Sequence, residues 1–187
     1  MCHYITATLR HAVDLKVVAS VFESYKLGFV LISNPHVAAQ IDSQAWYVLT
    51  TRKHCDCGTA LGSLNHQRTP ERFSDDRHLK KLRKQGWSET KINRWLEQKE
   101  QTREQHRRED EARAKGSTPE LERWLEFLSH LLKAKVAHKF GLLLHWYHTS
   151  VESERIKIQR RESVRLSDVN AERLMRIEED VLYEFVL

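Results

Sequence analysis

From Glu97 to Lys115 the chain carries no apolar side chain larger than alanine, and this stretch limits what the whole can fold into. A segment so poor in apolar groups has no place in a core. Its charges recur four residues apart, Glu104 with Arg108, Glu109 with Arg113 and Glu111 with Lys115. Such pairs hold a solvated helix together at about 0.2–0.5 kcal/mol each. A long charged helix must therefore stand off a core that the rest of the chain builds.

Before that stretch the patterns alternate. Cys2 to Leu9 is rich in β-formers and reads as a first strand. Val13, Val17, Val18, Val21, Phe22 and Tyr25 recur at three- and four-residue spacing, which predicts a helix with one buried face, and Gly28 suits its stop. Leu27 to Ser33 and Ala45 to Thr51 predict two further strands, the latter running into the loop His54-Cys55-Asp56-Cys57-Gly58. Helical pattern then takes over, with Asp75 to Gln85, a turn at Gly86, and a helix from Ser88 carrying Ile92, Trp95 and Leu96 on one face. Ser117-Thr118-Pro119-Glu120 is a helix start, and Leu121, Trp124, Leu125, Leu128, Leu131 and Leu132 form the stripe that follows. Phe140 to His148 predicts a fourth strand, Arg155 to Leu166 contains another, and Val169 to Leu187 reads as a closing amphipathic helix.

The order implies an α+β fold. The expectation is a ferredoxin-like βαββαβ antiparallel sheet with an inserted long charged helical hairpin and a C-terminal helix. Residues 1–69 and 138–187 then form the two parts of the core, and residues 70–137 the hairpin insertion. In that topology the first strand lies antiparallel between the third and fourth, so its beginning meets their ends.

That edge gathers chemistry. Cys2 and His3 begin the first strand, His54, Cys55 and Cys57 follow the third, and His145 and His148 finish the fourth. Thiolates and an imidazole are what a tetrahedral zinc site takes, and three Cys with one His is a common structural set. The spacing of Cys55 and Cys57 is tighter than the usual two-to-four, and the alternative is a small buried Cys2 beside partly exposed loop cysteines. A third reading makes Cys2 the nucleophile of an N-terminal-Cys hydrolase after loss of Met1. His3 stands where such a nucleophile is usually followed by Gly, and no oxyanion-hole signature accompanies it.

Charge is distributed unevenly. Residues 68–116 carry fifteen Lys/Arg against ten Asp/Glu, whereas 1–67 carry five against four and 117–187 eleven against twelve. Lys80, Lys81, Arg83, Lys84, Lys91 and Arg94 flank the Gly86 turn in a helix-turn-helix outline and are candidates for phosphate contacts. The acidic residues mixed among them argue instead for a solvated hairpin. No apolar run approaches the ~20 residues of a membrane span, and the start lacks the features of a secretory signal. The expectation is a cytoplasmic, non-enzymatic binding protein, an inhibitor or immunity-type factor of a bacterial kind, presenting its hairpin to another protein and holding a zinc ion. Nucleic-acid binding through the basic hairpin is the alternative, and the hydrolase the third.

Overall fold

The strand begun by Cys2 is the element to which the others are attached. In this computed structural model residues 2–63, 75–98, 100–101 and 118–187 are described. The strands are β1 (Cys2–Arg10), β2 (Val30–Leu31), β3 (Ala45–Leu49), β4 (Lys139–Tyr147), β5 (Arg160–Arg165) and β6 (Val181–Val186). They form one open sheet in the order β2-β3-β1-β4-β6-β5. Every neighbouring pair is antiparallel except β5 with β6. The helices are α1 (Leu15–Ser24), α2 (Pro35–Ala38), α3 (Ala60–Ser63), α4 (Asp75–Lys84), α5 (89–98), α6 (Thr118–Lys133) and α7 (Ala171–Met175). The fold is mixed α+β.

Met1–His66 with Ser117–Leu187 make one compact unit, and Gln67–Gly116 make a second. The first contains the whole sheet. Alternate residues of β4 divide between two apolar clusters, Phe140, Leu142 and Leu144 in the larger, Leu143 and Tyr147 in the smaller, as the two-residue period of a strand requires. The larger cluster receives α1 through Val18, Val21 and Phe22, and α6 through the stripe from Leu121 to Leu132. Asp14 starts α1 by accepting from the backbone N–H of Lys16 and Val17. Phe127 of α6 meets Phe22, Phe140, Trp124 and Tyr25 edge to face, with ring centroids 4.8, 5.4, 5.6 and 5.8 Å away.

The second unit, as far as it is described, is a pair of helical runs around Gly86, which takes φ 80°. Leu82 and Ile92 are buried there. The pairs Glu104 with Arg108, Glu109 with Arg113 and Glu111 with Lys115, and the capping Ser117, lie outside the described residues.

The end of the chain corrects one expectation. Val169 to Leu187 is not a closing helix, for helix is confined to the five residues of α7, and the chain finishes as β6. Val181, Tyr183 and Phe185 join the larger cluster while Leu182 joins the smaller. That is the period of a strand buried on both faces, which a helical reading of an apolar run misses. Asp180, at φ 60°, turns the chain out of helical geometry just before it. The second strand is also shorter than expected, Val30–Leu31 rather than Leu27 to Ser33. Asn34 ends it, accepting from the N–H of His36 and Val37 and donating to the carbonyls of Val151 and Glu154.

Because Phe127 fills the junction of both covering helices with the sheet, Phe127→Ala should lower unfolding free energy by about 3–5 kcal/mol in urea titrations. Val17→Ala, on the exposed face of α1, should stay within ~0.5 kcal/mol of the parent.

Candidate metal centre and the cavity beside it

β1 pairs with β4 from Cys2 to Leu9 but with β3 only from Thr6 to Arg10. The first residues of β1 therefore offer backbone groups on one side that no strand takes up. The loop after β3 takes them up instead. Thr50 donates its N–H and its hydroxyl to the Ile5 carbonyl, at 3.0 and 2.8 Å. Asp56 donates its N–H to the His3 carbonyl at 2.9 Å, and its Oδ2 accepts from the N–H of Ile5 at 2.8 Å and from the Thr51 hydroxyl. Cys57 Sγ accepts from the N–H of His3 at 3.2 Å. A short acidic side chain thus does the work of one more strand residue, because a buried N–H without a partner is costly.

This zipping brings the cysteines together. The Sγ atoms of Cys2, Cys55 and Cys57 lie within 4.8 Å of one another, close enough to bind a metal ion. All three cysteines are unbridged and half-buried. The Cys57 backbone N–H holds the Cys55 thiol below the ordinary thiol range. Burial pushes the Cys57 thiol up, and the neighbouring sulfurs add to the rise. Three thiolates so close repel one another, and a cation among them would relieve it.

The histidines take other places. His3 is fully buried and its Nε2 meets Glu179 Oε1 at 2.5 Å. His145 Nδ1 meets Asp180 Oδ1 at 2.5 Å. His54 and His148 are exposed. None of the four joins the three sulfurs in the cluster found among the described residues. The two acidic partners, adjacent at Glu179 and Asp180, were not singled out by sequence pattern; they arrive through the bridge of Glu179 to Leu144 of β4.

Beside the sulfurs a cavity of about 710 Å³ opens within the first unit. Ile5, Leu27 and Trp124 give it apolar walls, Cys55 and Asp56 form the side shared with the cysteine loop, and Lys26, Arg52, Lys53, Arg123 and Glu120 bring charge. Glu120 Oε2 accepts from the N–H of Ala60 at 2.9 Å, tying α6 to α3. Gly62 of α3 lies so near the Asp56 carbonyl that a Cβ there would stand 2.0 Å from the oxygen. Only glycine admits that approach.

Of the basic residues in the second unit, Lys80, Lys81, Lys84 and Arg94 are exposed. Arg83 is taken by Glu89 through two hydrogen bonds, at 2.7 and 3.1 Å. Lys91 Nζ lies 4.1 Å from the centre of the Trp87 ring. No family model matches the chain, nor does any curated protein or solved structure. No described helix is long and apolar enough to cross a membrane.

Asp56→Ala should cost about 2–4 kcal/mol, since it strands the N–H of Ile5 and the Thr51 hydroxyl in a buried setting. Thermal melts would measure it, and Asp56→Asn, which keeps one acceptor, should fall between the two.

Proposed function

We propose that the protein is a zinc-binding, non-enzymatic binding protein, with Cys2, Cys55 and Cys57 as the ligands of the ion. The observation that carries this reading is the convergence of three sulfurs from distant parts of the chain. A tetrahedral zinc with bonds of ~2.3 Å keeps its sulfurs ~3.8 Å apart. Sulfurs within 4.8 Å need close by only about 1 Å to meet it. Thiolates favour soft or borderline cations, and zinc is the borderline ion that such sets take in structural sites. Water or the exposed His54, next to Cys55, completes the coordination, His3 being committed to Glu179. The ion would fasten the start of β1 to the loop after β3 and so stabilise the fold rather than perform chemistry. We read the strand order β2-β3-β1-β4, antiparallel throughout, as the ferredoxin-like βαββαβ core, with residues 67–116 inserted ahead of α6.

Binding is assigned to the second unit, and its partner to another protein in the cytoplasm, in the manner of an inhibitor or immunity-type factor. The support is electrostatic. Glu89 already engages Arg83, and Lys91 covers Trp87, so two of the six basic side chains a phosphate backbone would need are occupied. A surface of mixed sign suits a partner whose charges match it and rejects others.

Two experiments test these parts separately. Purified protein should hold about one zinc per chain, and cobalt in its place should show thiolate charge-transfer absorption that Cys57→Ser abolishes. Protein without metal, melting at an unchanged temperature in chelator, ends the zinc reading. For the partner, duplex and single-stranded nucleic acid should bind no tighter than nonspecifically at physiological salt. Micromolar binding that drops ~10³-fold with moderate salt, and disappears when Lys80, Lys81 and Lys84 are all changed to Glu, would replace the protein partner with nucleic acid.

A further inference from the structure

The cavity beside the cysteine loop shares only Cys55 with the sulfur cluster, and its charge is not spent on the fold. Lys26, Arg52, Lys53 and Arg123 all line it. Among the described residues the side chain of none of them makes a hydrogen bond or ion pair. Four like charges around one hollow repel each other, and a fold gains nothing by collecting them there without a counter-charge. The two carboxylates on the same wall are engaged elsewhere, Asp56 by Ile5 and Thr51, Glu120 by Ala60. Even counted in full, they leave four cations against two anions.

We propose that this cavity binds an organic phosphate of about nucleotide size. The excess of two positive charges matches a phosphate group, whose several oxygens can take the forked donors of Arg52 and Arg123 together with the point charges of Lys26 and Lys53. A bare phosphate ion would leave most of the space empty, because cavities of ~300–1,000 Å³ hold molecules of drug size. The rest of the wall is mixed, with Ile5, Leu27 and Trp124 beside Thr50 and Thr59, and it suits an organic body that carries both apolar surface and hydrogen-bonding groups attached to the anion. Asp56 Oδ2 is occupied, and its other oxygen is left to accept an N–H or O–H from that body.

Calorimetric titration of the whole chain tests the assignment, with ADP and pyrophosphate as probes and adenosine and citrate as controls. ADP should bind in the micromolar range, pyrophosphate more weakly, and adenosine and citrate at least about tenfold more weakly than ADP. Arg52→Gln with Arg123→Gln should lower ADP affinity about tenfold per cation removed. If that pair does not fold, Arg52→Gln with Lys53→Gln, both exposed, takes its place. Lys133→Gln with Lys157→Gln, both exposed and outside the cavity, should change nothing. The result should be the same after metal is stripped and the chelator dialysed away. No binding of ADP or pyrophosphate at millimolar concentration overturns the proposal, as does binding that survives loss of the arginines. Citrate binding as tightly as ADP would transfer the site to carboxylates and overturn the phosphate assignment.

Discussion

The pairing of Asp56 with the open side of β1 is the contact on which the first unit's site depends. β3 leaves β1 at Thr50, and without a substitute the amides of His3 and Ile5 would face an interior with no acceptor. One carboxylate, one backbone N–H and one sulfur meet the need. Everything chemically notable nearby follows from that repair. The loop must lie flat along the strand, so Cys55 and Cys57 are carried to Cys2, and the outer side of the same loop becomes a wall of the cavity. Burial raises the Asp56 carboxyl, opposed by the bonds from Thr51 and Ile5. Its placement answers to hydrogen bonding rather than to exposed charge.

Support for the loop comes from behind. α3 lies against the Asp56 carbonyl at Gly62, and Glu120 of α6 accepts from the first N–H of α3. α6 in turn is fixed by the aromatic group around Phe127. A chain of contacts therefore runs from the larger apolar cluster through α6, the Glu120 carboxylate and α3 to the cysteine loop. The loop that carries Cys55 and Cys57 is held to β1 by backbone hydrogen bonds, which keeps the three sulfurs close enough to bind a metal ion.

The mixed class of the fold and the antiparallel character of most of the sheet were legible in the sequence, because short β-rich runs and helical spacing are local signals. α1 was readable for the same reason, whereas its cap at Asp14 became apparent only in the structure. The final strand was not: Val181 to Val186 is buried on both faces, and a run without alternation looks the same in either structure. Convergence of the cysteines could be inferred from strand order alone, yet the histidines could not be sorted, since His3 and His145 are claimed by Glu179 and Asp180. Those acids act through a bridge between distant parts of the chain, which leaves no local pattern. The cavity was likewise invisible, as its cations come from three separate places in the chain, Lys26, Arg52 with Lys53, and Arg123.

The sheet is open, so it has two outer strands whose unpaired backbone could recruit another chain. β2 presents two residues and then gives way to Asn34 and the turn into α2, which is too little length for an intruder to grip. β5 is longer, but it carries Arg160, Arg161 and Arg165, and guanidinium groups at 160 and 161 stand on successive positions. Arg160 is paired with Glu162 and Glu178, and Arg161 bonds the Gln40 carbonyl, so the margin is lined by charged side chains that make a poor template for a further strand. Strand addition is thus discouraged at one margin by brevity and at the other by charged side chains.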